Sequence, residues 1–586
     1  MWPAASELIP IVHRSLIPYC AFALLVCAEL AAILLLNHGF FTYSLDDPYI
    51  HLALAERISA GTYGINAGEF AAPASSILWP FLLSLFSGTS LLLYLPLILN
   101  VTAACATLYM MDRVTRDSLE VTAGRASIFW VTCLVMLLIP TTNLIGLAFT
   151  GMENSLQQLL AVLIVAGLIE ESRSGRVPFY LWAAILLIPL VRHDSLALAL
   201  PALAYLTWRR HRRGALWVAG VMLATLGAFS VFLELHGIGL LPTSIAAKSD
   251  LVRTNGSILS LLHGIYGNMV QSPQGTVLVL VDVLLAATAL ARRGAERGLA
   301  ATVAAALLLH LIFGRVGAYF RYEAYLWAGT VLTLIHLHQE RLREALAVGG
   351  GAWGRVAVFG ALGSVSLRYV FVLASTPLAA NNIYDQQYQM HRFAVDFYKG
   401  PVGVSDLGLV SFRNPSYVLD LWGLGSLEAQ RERLRNPTSA WMDPLSRKHG
   451  VDMIMIYDNL FPGLPTEWIF LGQLQLQRKR ITPSGDQVQF YARSPVAACK
   501  ALALLTDFAA TLPPGARFIP GQTRRPATSQ LCVPPYCTTR PPKYFRICAF
   551  NIWISHRSCA EQSCCDQQER TPEQACQPKT LAKEHQ

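Results

Sequence analysis

Long apolar runs separated by short polar loops set the pattern of this chain. A membrane-spanning helix needs about 20 apolar residues. Runs of that kind fall near 16–36, 89–111, 126–147, 151–169, 178–192, 195–208, 215–236, 275–291, 298–314, 322–338 and 353–374, and predict eleven membrane helices. Two of them, 178–192 and 195–208, are short and read as broken helices or as one hairpin that does not fully cross. The stretch Ser76 to Gly88 is apolar but too short to span, and predicts a helix lying at the membrane interface. After residue 377 the period changes. His391 to Tyr398 predicts a short helix, and Pro401 to Val410, Val451 to Asp458 and Gln487 to Ser494 predict strands with turn residues nearby. A small α/β domain over 377–495 follows, large enough for its own core. From 496 to 586, Cys, Pro, Arg and Gln mix without periodicity, which predicts a disordered tail.

Composition agrees with the pattern. The chain has 586 residues, 53% hydrophobic and 14% charged, against about 25% charged in typical soluble domains. Mean hydropathy is +0.41. A soluble globule and a disordered chain are both excluded. The net charge of +9 does not point to nucleic acid, because the basic residues sit in loops between apolar runs rather than in an aromatic-studded patch. Those loops alternate. His13 and Arg14 precede the first run; Arg113, Arg116 and Arg125 follow the second; Arg173 and Arg176 the fourth. Arg209 to Arg213 follow the sixth, Arg292, Arg293 and Arg297 the eighth, and Arg341 and Arg343 the tenth. The excess of Lys and Arg on cytoplasmic loops then places the N-terminus in the cytoplasm and everything after residue 375 outside. The first run, with no cleavable signal peptide evident, reads as an anchor. Cys20, Cys27, Cys105 and Cys133 read as small buried hydrophobes.

Ionisable residues near membrane boundaries are costly and tend to be functional. Here Asp46, Asp47, Glu153, Arg192, Asp194, Lys248, Arg321 and Tyr322 all fall on the predicted outer face. That shared face points to an active site at the outer membrane surface. Asp46 and Asp47 open the first outer loop, 37–75, and Pro48 follows them. Two adjacent carboxylates can divide labour, one as general base and one positioning a cation or substrate. Helix capping is the plainer alternative. Glu153 stands where a charge favours a helix N-terminus, and Asp194 reads equally as the salt-bridge partner of Arg192 or as a substrate ligand. Trp79 fits an interfacial aromatic belt or a sugar-stacking surface. His51 reads as a polar residue on the loop helix, and Asp406, Asp420 and Trp422 as acceptor contacts or as turn and core residues. The segments Gly61 to Gly64 and Gly68 to Phe70 lack the strand–turn–helix setting of a nucleotide loop, which disfavours direct use of a sugar nucleotide.

The stretch Tyr43 to Pro80, with its pieces LDDPYI, AERISAGTYGINAGE and ASSILW, resembles the first outer loop of the GT-C superfamily of membrane glycosyltransferases. TGMENSL (150–156), VRHDSL (191–196), LPTSIAAKS (241–249), YFRYEAY (319–325) and VGVSDLGLVSF with VLDLWGLGS (402–412, 418–426) resemble later segments of that superfamily, in order. The branch resembled holds arabinofuranosyl- and mannosyltransferase-like proteins that use polyprenyl-phosphate sugars, and the likeness runs over about residues 16–495. His193, Ser195, Ile77 and the pair Pro242-Thr243 depart from its pattern. The resemblance implies a GT-C-like helical membrane domain, 1–376, with a small C-terminal α/β extracytoplasmic domain. It implies an inverting transfer of arabinofuranose or a hexose such as mannose, from a polyprenyl-phosphate donor to a glycan, lipid or protein acceptor, at the outer face of a bacterial inner membrane. Asp46 is then the base, with Asp47 supporting it or binding a divalent cation (Mg or Mn), and Glu153 holds sugar hydroxyls or the Asp pair. Lys248, Arg321 and Arg192 bind the donor phosphate, while Asp194, Tyr322 and Trp79 line the substrate. A ligase or polymerase using lipid-diphosphate oligosaccharides and a lipid or sugar transporter are the alternatives.

Overall fold

The computed structural model describes residues 15–244 and 258–521. Each expected span contains a helix: Ile17–Leu36, Leu95–Ser118, Ile128–Thr141, Asn154–Ser174, Phe179–Val191, Leu196–Trp208, Arg212–Leu235, Pro273–Ala291, Gly294–Phe313, Ala324–Leu337 and Ala352–Asp385. Seven helical stretches among the described residues are long and apolar enough to cross a membrane by length and composition. Ile128–Thr141, Phe179–Val191 and Ala324–Leu337 are shorter apolar helices, and Leu196–Trp208 has 13 residues. Asn154–Ser174 is the hub, packed by Leu95–Ser118, Phe179–Val191 and Ala324–Leu337. Ile17–Leu36 and Arg212–Leu235 lie at the rim with most of their apolar surface turned away from protein, as a lipid-facing helix requires. Cys20, Cys27 and Cys105 belong to this outward surface rather than to the core. Hydropathy alone does not distinguish an apolar protein interior from an apolar lipid.

Several boundaries move for local reasons. The second helix starts at Leu95, with Pro96 in its first turn where the missing N–H costs nothing. It runs on to Ser118 because Asp112 and Arg116, one turn apart, pair inside the protein and Tyr19 donates to the same carboxylate. The helix Phe179–Val191 carries Pro189 near its end, which removes one helical hydrogen bond, and Arg192 is already extended at φ −153°. The apolar stretch after Ser76 forms the helix Leu78–Ser84, which packs on the loop helix Asp47–Ser59.

The alternation of loops is visible at both ends. Arg173 contacts Ser118, His336 and Gln339, and Arg343 reaches Ser118 and Glu120, so the basic loops meet. Glu171, fully buried, accepts from Tyr205 and Arg209 and pairs with His211 at that same end. The first loop, the turn at 192–195, the connection before Ala324 and the α/β domain meet at the other end.

The last membrane helix continues through Pro377 to Asp385 and delivers the chain into the α/β domain. A six-stranded sheet follows in the order β2-β1-β3-β5-β4-β6: β1 Val402–Val404, β2 Val418–Asp420, β3 Met453–Ile456, β4 Ile469–Leu476, β5 Gln487–Ala492, β6 Ala516–Pro520. β1 pairs parallel with β2 and β3, and the remaining pairs are antiparallel. The strand predicted over 401–410 shrinks to three residues, because Gly408–Ser411 turns into a short helix. The domain also passes its expected end at 495. Helix Pro495–Ala510 is capped by the Ser494 hydroxyl and buries Ala497, Ala498, Ala501, Leu505 and Phe508 on one face. β6 then adds an edge strand to β4. So 496–521 belong to the fold rather than to the tail, and Cys499 in this helix is disulfide-bonded. The rest of the expected tail, and Lys248, lie outside the described residues.

Candidate active site

Asp46 precedes the loop helix but does not cap it with its side chain. Its Oδ2 accepts the Gly408 amide and its Oδ1 the Leu409 amide, both at 2.8 Å. The carboxylate therefore latches the first loop to the α/β domain across 362 residues of sequence. Gly408 permits this closeness: a Cβ there would overlap the Asp46 backbone oxygen and carboxylate. Gly408→Ala is expected to cost about 1–3 kcal/mol, seen as a lower Tm in detergent. An unchanged Tm contradicts the latch.

Asp47 pairs with Arg321 Nη2 at 2.5 Å. Arg321 and Arg192 flank the Tyr322 ring, their guanidinium carbons 5.1 and 5.2 Å from its centroid, within cation–π range. Arg321 is buried, yet its Nε and Nη1 have no hydrogen-bond partner. Buried donors left unbonded are expensive, each about 1–3 kcal/mol, and such atoms in a charged group are suited to bond an anion's oxygens. The backbone ahead of Arg321 is strained. Gly317, Ala318, Tyr319 and Phe320 all have positive φ, at 92°, 47°, 64° and 58°. Each non-glycine residue there costs about 1–2 kcal/mol. The Gly317 amide donating to Glu323 at 2.9 Å and the Tyr319 hydroxyl donating to the Val372 carbonyl at 3.2 Å hold the turn in place. Strain of this kind concentrates where a side chain must be presented, and here the residue presented is Arg321.

Arg192 is anchored more heavily. It bonds Glu153 at 2.7 Å, Asp194 at 3.1 Å and the Ser75 hydroxyl at 3.4 Å. Glu153 is fully buried and also faces His51 Nε2 at 3.7 Å. Its Oε1 holds Arg192, and its Oε2 lies beside His51. Asp194 is the partner of Arg192 and is fixed in turn by Gln157 at 3.0 Å. Trp79 is 1% exposed, so its ring packs in the core and offers no face for a sugar to stack on. Asp420 is structural too: it accepts from the amides of Trp422, Leu424 and Gly425 and closes that turn. Trp422 lies under Arg433, 4.0 Å from its guanidinium carbon.

The α/β domain adds a third carboxylate. Asp406 Oδ2 accepts from Gln387 at 2.8 Å and Tyr457 at 3.1 Å. Burial pushes Asp406 up to about 6, against the pull of those two donors. Asp46 is also raised, by burial and then by the neighbouring Asp406, with the Leu409 and Gly408 amides opposing. Asp406 follows β1 in the segment Val404-Ser405-Asp406-Leu407-Gly408, a strand-end Asp-x-Gly. Gln387 and Tyr457 carry no local signal and are recognised only from the contact. As for a cation, Asp47 is already paired with Arg321, and no group of three or more His, Cys, Asp or Glu is placed to hold a metal among the described residues. Beside the latch, a cavity of about 420 Å³ opens between the loop helix and 411–415, lined by Glu56, Arg57, Arg413 and Asn414 among others.

Residues 381–491 match a family described as a domain of unknown function (DUF8728). No curated protein matches the chain. Among solved structures, the chain is similar to ArnT from Cupriavidus metallidurans bound to undecaprenyl phosphate, at 11% identity and TM-score 0.43 over 84% of this chain and 98% of that one. It is similar to the arabinofuranosyltransferase AftD from Mycobacteria, at 14% identity and TM-score 0.40, over 81% of this chain but 41% of that one. It is also similar to the Archaeoglobus fulgidus oligosaccharyltransferase, at 11% identity and TM-score 0.46, over 87% and 77%. At these scores the likeness alone assigns this chain no activity.

Proposed function

We propose that this chain is an inverting GT-C-type membrane glycosyltransferase that moves a sugar, arabinofuranose or a hexose such as mannose, from a polyprenyl-phosphate donor to an envelope glycan, lipid or protein. The observation that carries the reading is Arg321, a buried guanidinium with two unused donor nitrogens, beside a cluster of carboxylates. A sugar-phosphate transfer needs those two things side by side.

The acceptor oxygen attacks the anomeric carbon. The bond from that carbon to the phosphate oxygen breaks, and its electron pair leaves on the lipid phosphate. That leaving group is already anionic, so it needs fixed positive charge more than a proton. Arg321 offers Nε and Nη1, two donors on different edges of the guanidinium, to phosphate oxygens. Arg192 contributes field across the Tyr322 ring, and Lys248 is the further cation expected from its loop. The acceptor's proton goes to a carboxylate of the cluster. Attack on one side and departure on the other invert the anomeric centre in one step. The polar cavity at Glu56, Arg57, Arg413 and Asn414 suits the acceptor's remaining sugars. By the charge alternation, the N-terminus is cytoplasmic and this end of the molecule faces outward across a bacterial inner membrane.

The test is donor choice by the purified full-length protein with envelope glycan as acceptor. Polyprenyl-phosphate arabinofuranose or mannose is expected to release polyprenyl phosphate, while nucleotide sugars give nothing. Turnover of diphosphate-linked oligosaccharides alone moves the chain to the ligase reading. Lipid translocation without turnover moves it to the transporter reading.

A further inference from the structure

We propose that Asp406 of the α/β domain is the base that takes the acceptor proton, and that Asp46 is the latch that brings it there. This deepens the functional reading above and rests on it.

The three carboxylates differ in what their oxygens are doing. Both Asp46 oxygens receive backbone amides. These two fixed donors occupy both oxygens and oppose the upward push of burial and of Asp406, so neither oxygen is left without a protein donor. Asp47 is tied to Arg321. Asp406 receives hydrogen bonds at Oδ2 only, and none reaches Oδ1 from the described residues. Its surroundings also accommodate a change of charge. The Tyr457 hydroxyl has one proton and two acceptors, Asp406 at 3.1 Å and Gln386 Oε1 at 2.6 Å. When Asp406 gains a proton, that hydroxyl can turn fully to Gln386. Asp406 is displaced to about 6, where a base is ionised at neutral pH and still able to hold a proton. The charged and titratable groups facing it are Asp46 and Asp47 from the loop, Asp420 from β2 and Tyr457 after β3, with Arg321 on Asp47 and Arg480 on Tyr457. The carboxylates act as a coupled set, so a pH profile reports the set.

The step balances within this site. The acceptor O–H proton passes to Asp406 Oδ1, the acceptor oxygen bonds the anomeric carbon, and the electron pair of the broken bond leaves on the lipid phosphate. The proton is later released to water.

Asp406→Asn keeps an oxygen for Gln387 and is expected to fold. Its kcat is expected to fall by roughly 10²–10³-fold, with donor KM within about two-fold of wild type, since the acceptor base binds no part of the donor. The rise of rate with pH that the coupled carboxylates set is expected to shift. Sodium azide supplies the decisive arm. Azide attacks the anomeric carbon with no proton to lose, so azide-dependent release of polyprenyl phosphate is expected from Asp406→Asn above the wild-type level, with glycosyl azide as product. Asp46→Asn is expected to lower the Tm and to show no such rescue. Rescue of Asp46→Asn but not of Asp406→Asn overturns the assignment, as does an Asp406→Asn enzyme with unchanged kcat and pH limb. If wild-type protein cleaves no polyprenyl-phosphate donor, the functional reading itself fails, whatever Asp406 does.

Discussion

Arg321→Gln is expected to lower donor cleavage by about 10²–10³-fold, the usual effect of removing one preorganised charge-stabilising donor, while the protein stays folded. The substitution removes the cation whose Nε and Nη1 stand unused beside the carboxylates. It also removes the ion pair with Asp47, whose side chain is 34% exposed and so is readily hydrated. Loss of this ion pair therefore costs little stability, since partly exposed pairs contribute little. Arg321→Lys keeps the charge but loses the planar fork, and is expected to recover part of the rate. The measurement is kcat for polyprenyl phosphate release, with Tm recorded for the same samples. A Gln variant with wild-type kcat contradicts a phosphate role for Arg321.

Arg192→Met is expected to have the largest effect on stability. Glu153 is fully buried and depends on Arg192 at 2.7 Å, and Asp194 shares the same guanidinium. Removing one partner of a buried pair strands the other charge and costs about 3–5 kcal/mol. The double variant Arg192→Met, Glu153→Gln is expected to recover much of that, because the stranded charge goes with its partner. A double-mutant cycle on denaturant or thermal unfolding in detergent measures the coupling. Additive effects contradict the pairing. Activity reads a second consequence: Arg192 and Arg321 both lie against the Tyr322 ring, so loss of Arg192 disturbs the seat of Arg321.

The membrane helices were legible because each had to be apolar over its length, and the loops because basic residues mark alternate ones. Helix ends were less legible. Pro96 and the Asp112–Arg116 pair moved the second span by several residues, and such effects depend on partners far away in sequence. In the α/β domain, β1 and β2 are three residues each, too short for an alternating pattern to stand out. The helix at 495–510 did carry a signal, Ser494 before Pro495, but it sat against a Cys- and Pro-rich composition that suggested a tail.

The site was half legible. Asp46, Asp47, Arg192 and Arg321 could be grouped from the membrane face they share, and the structure brings them together. Their roles could not be read. Whether Glu153 meets a sugar or a guanidinium, and whether Trp79 is wet or dry, are matters of tertiary packing. The Asp46 contact with Gly408 and Leu409 joins positions more than 360 residues apart, so the role proposed for Asp406 can be argued only when the two domains are seen in contact.

The proposed reaction is a single displacement between a carboxylate cluster and a cationic phosphate pocket. Its most direct test is the anomeric configuration of the product, read by NMR after the purified protein transfers a labelled sugar from polyprenyl phosphate. The account predicts a product inverted relative to the donor, formed with release of one polyprenyl phosphate per sugar. A product with retained configuration, or sugar transfer without release of the lipid monophosphate, would contradict it.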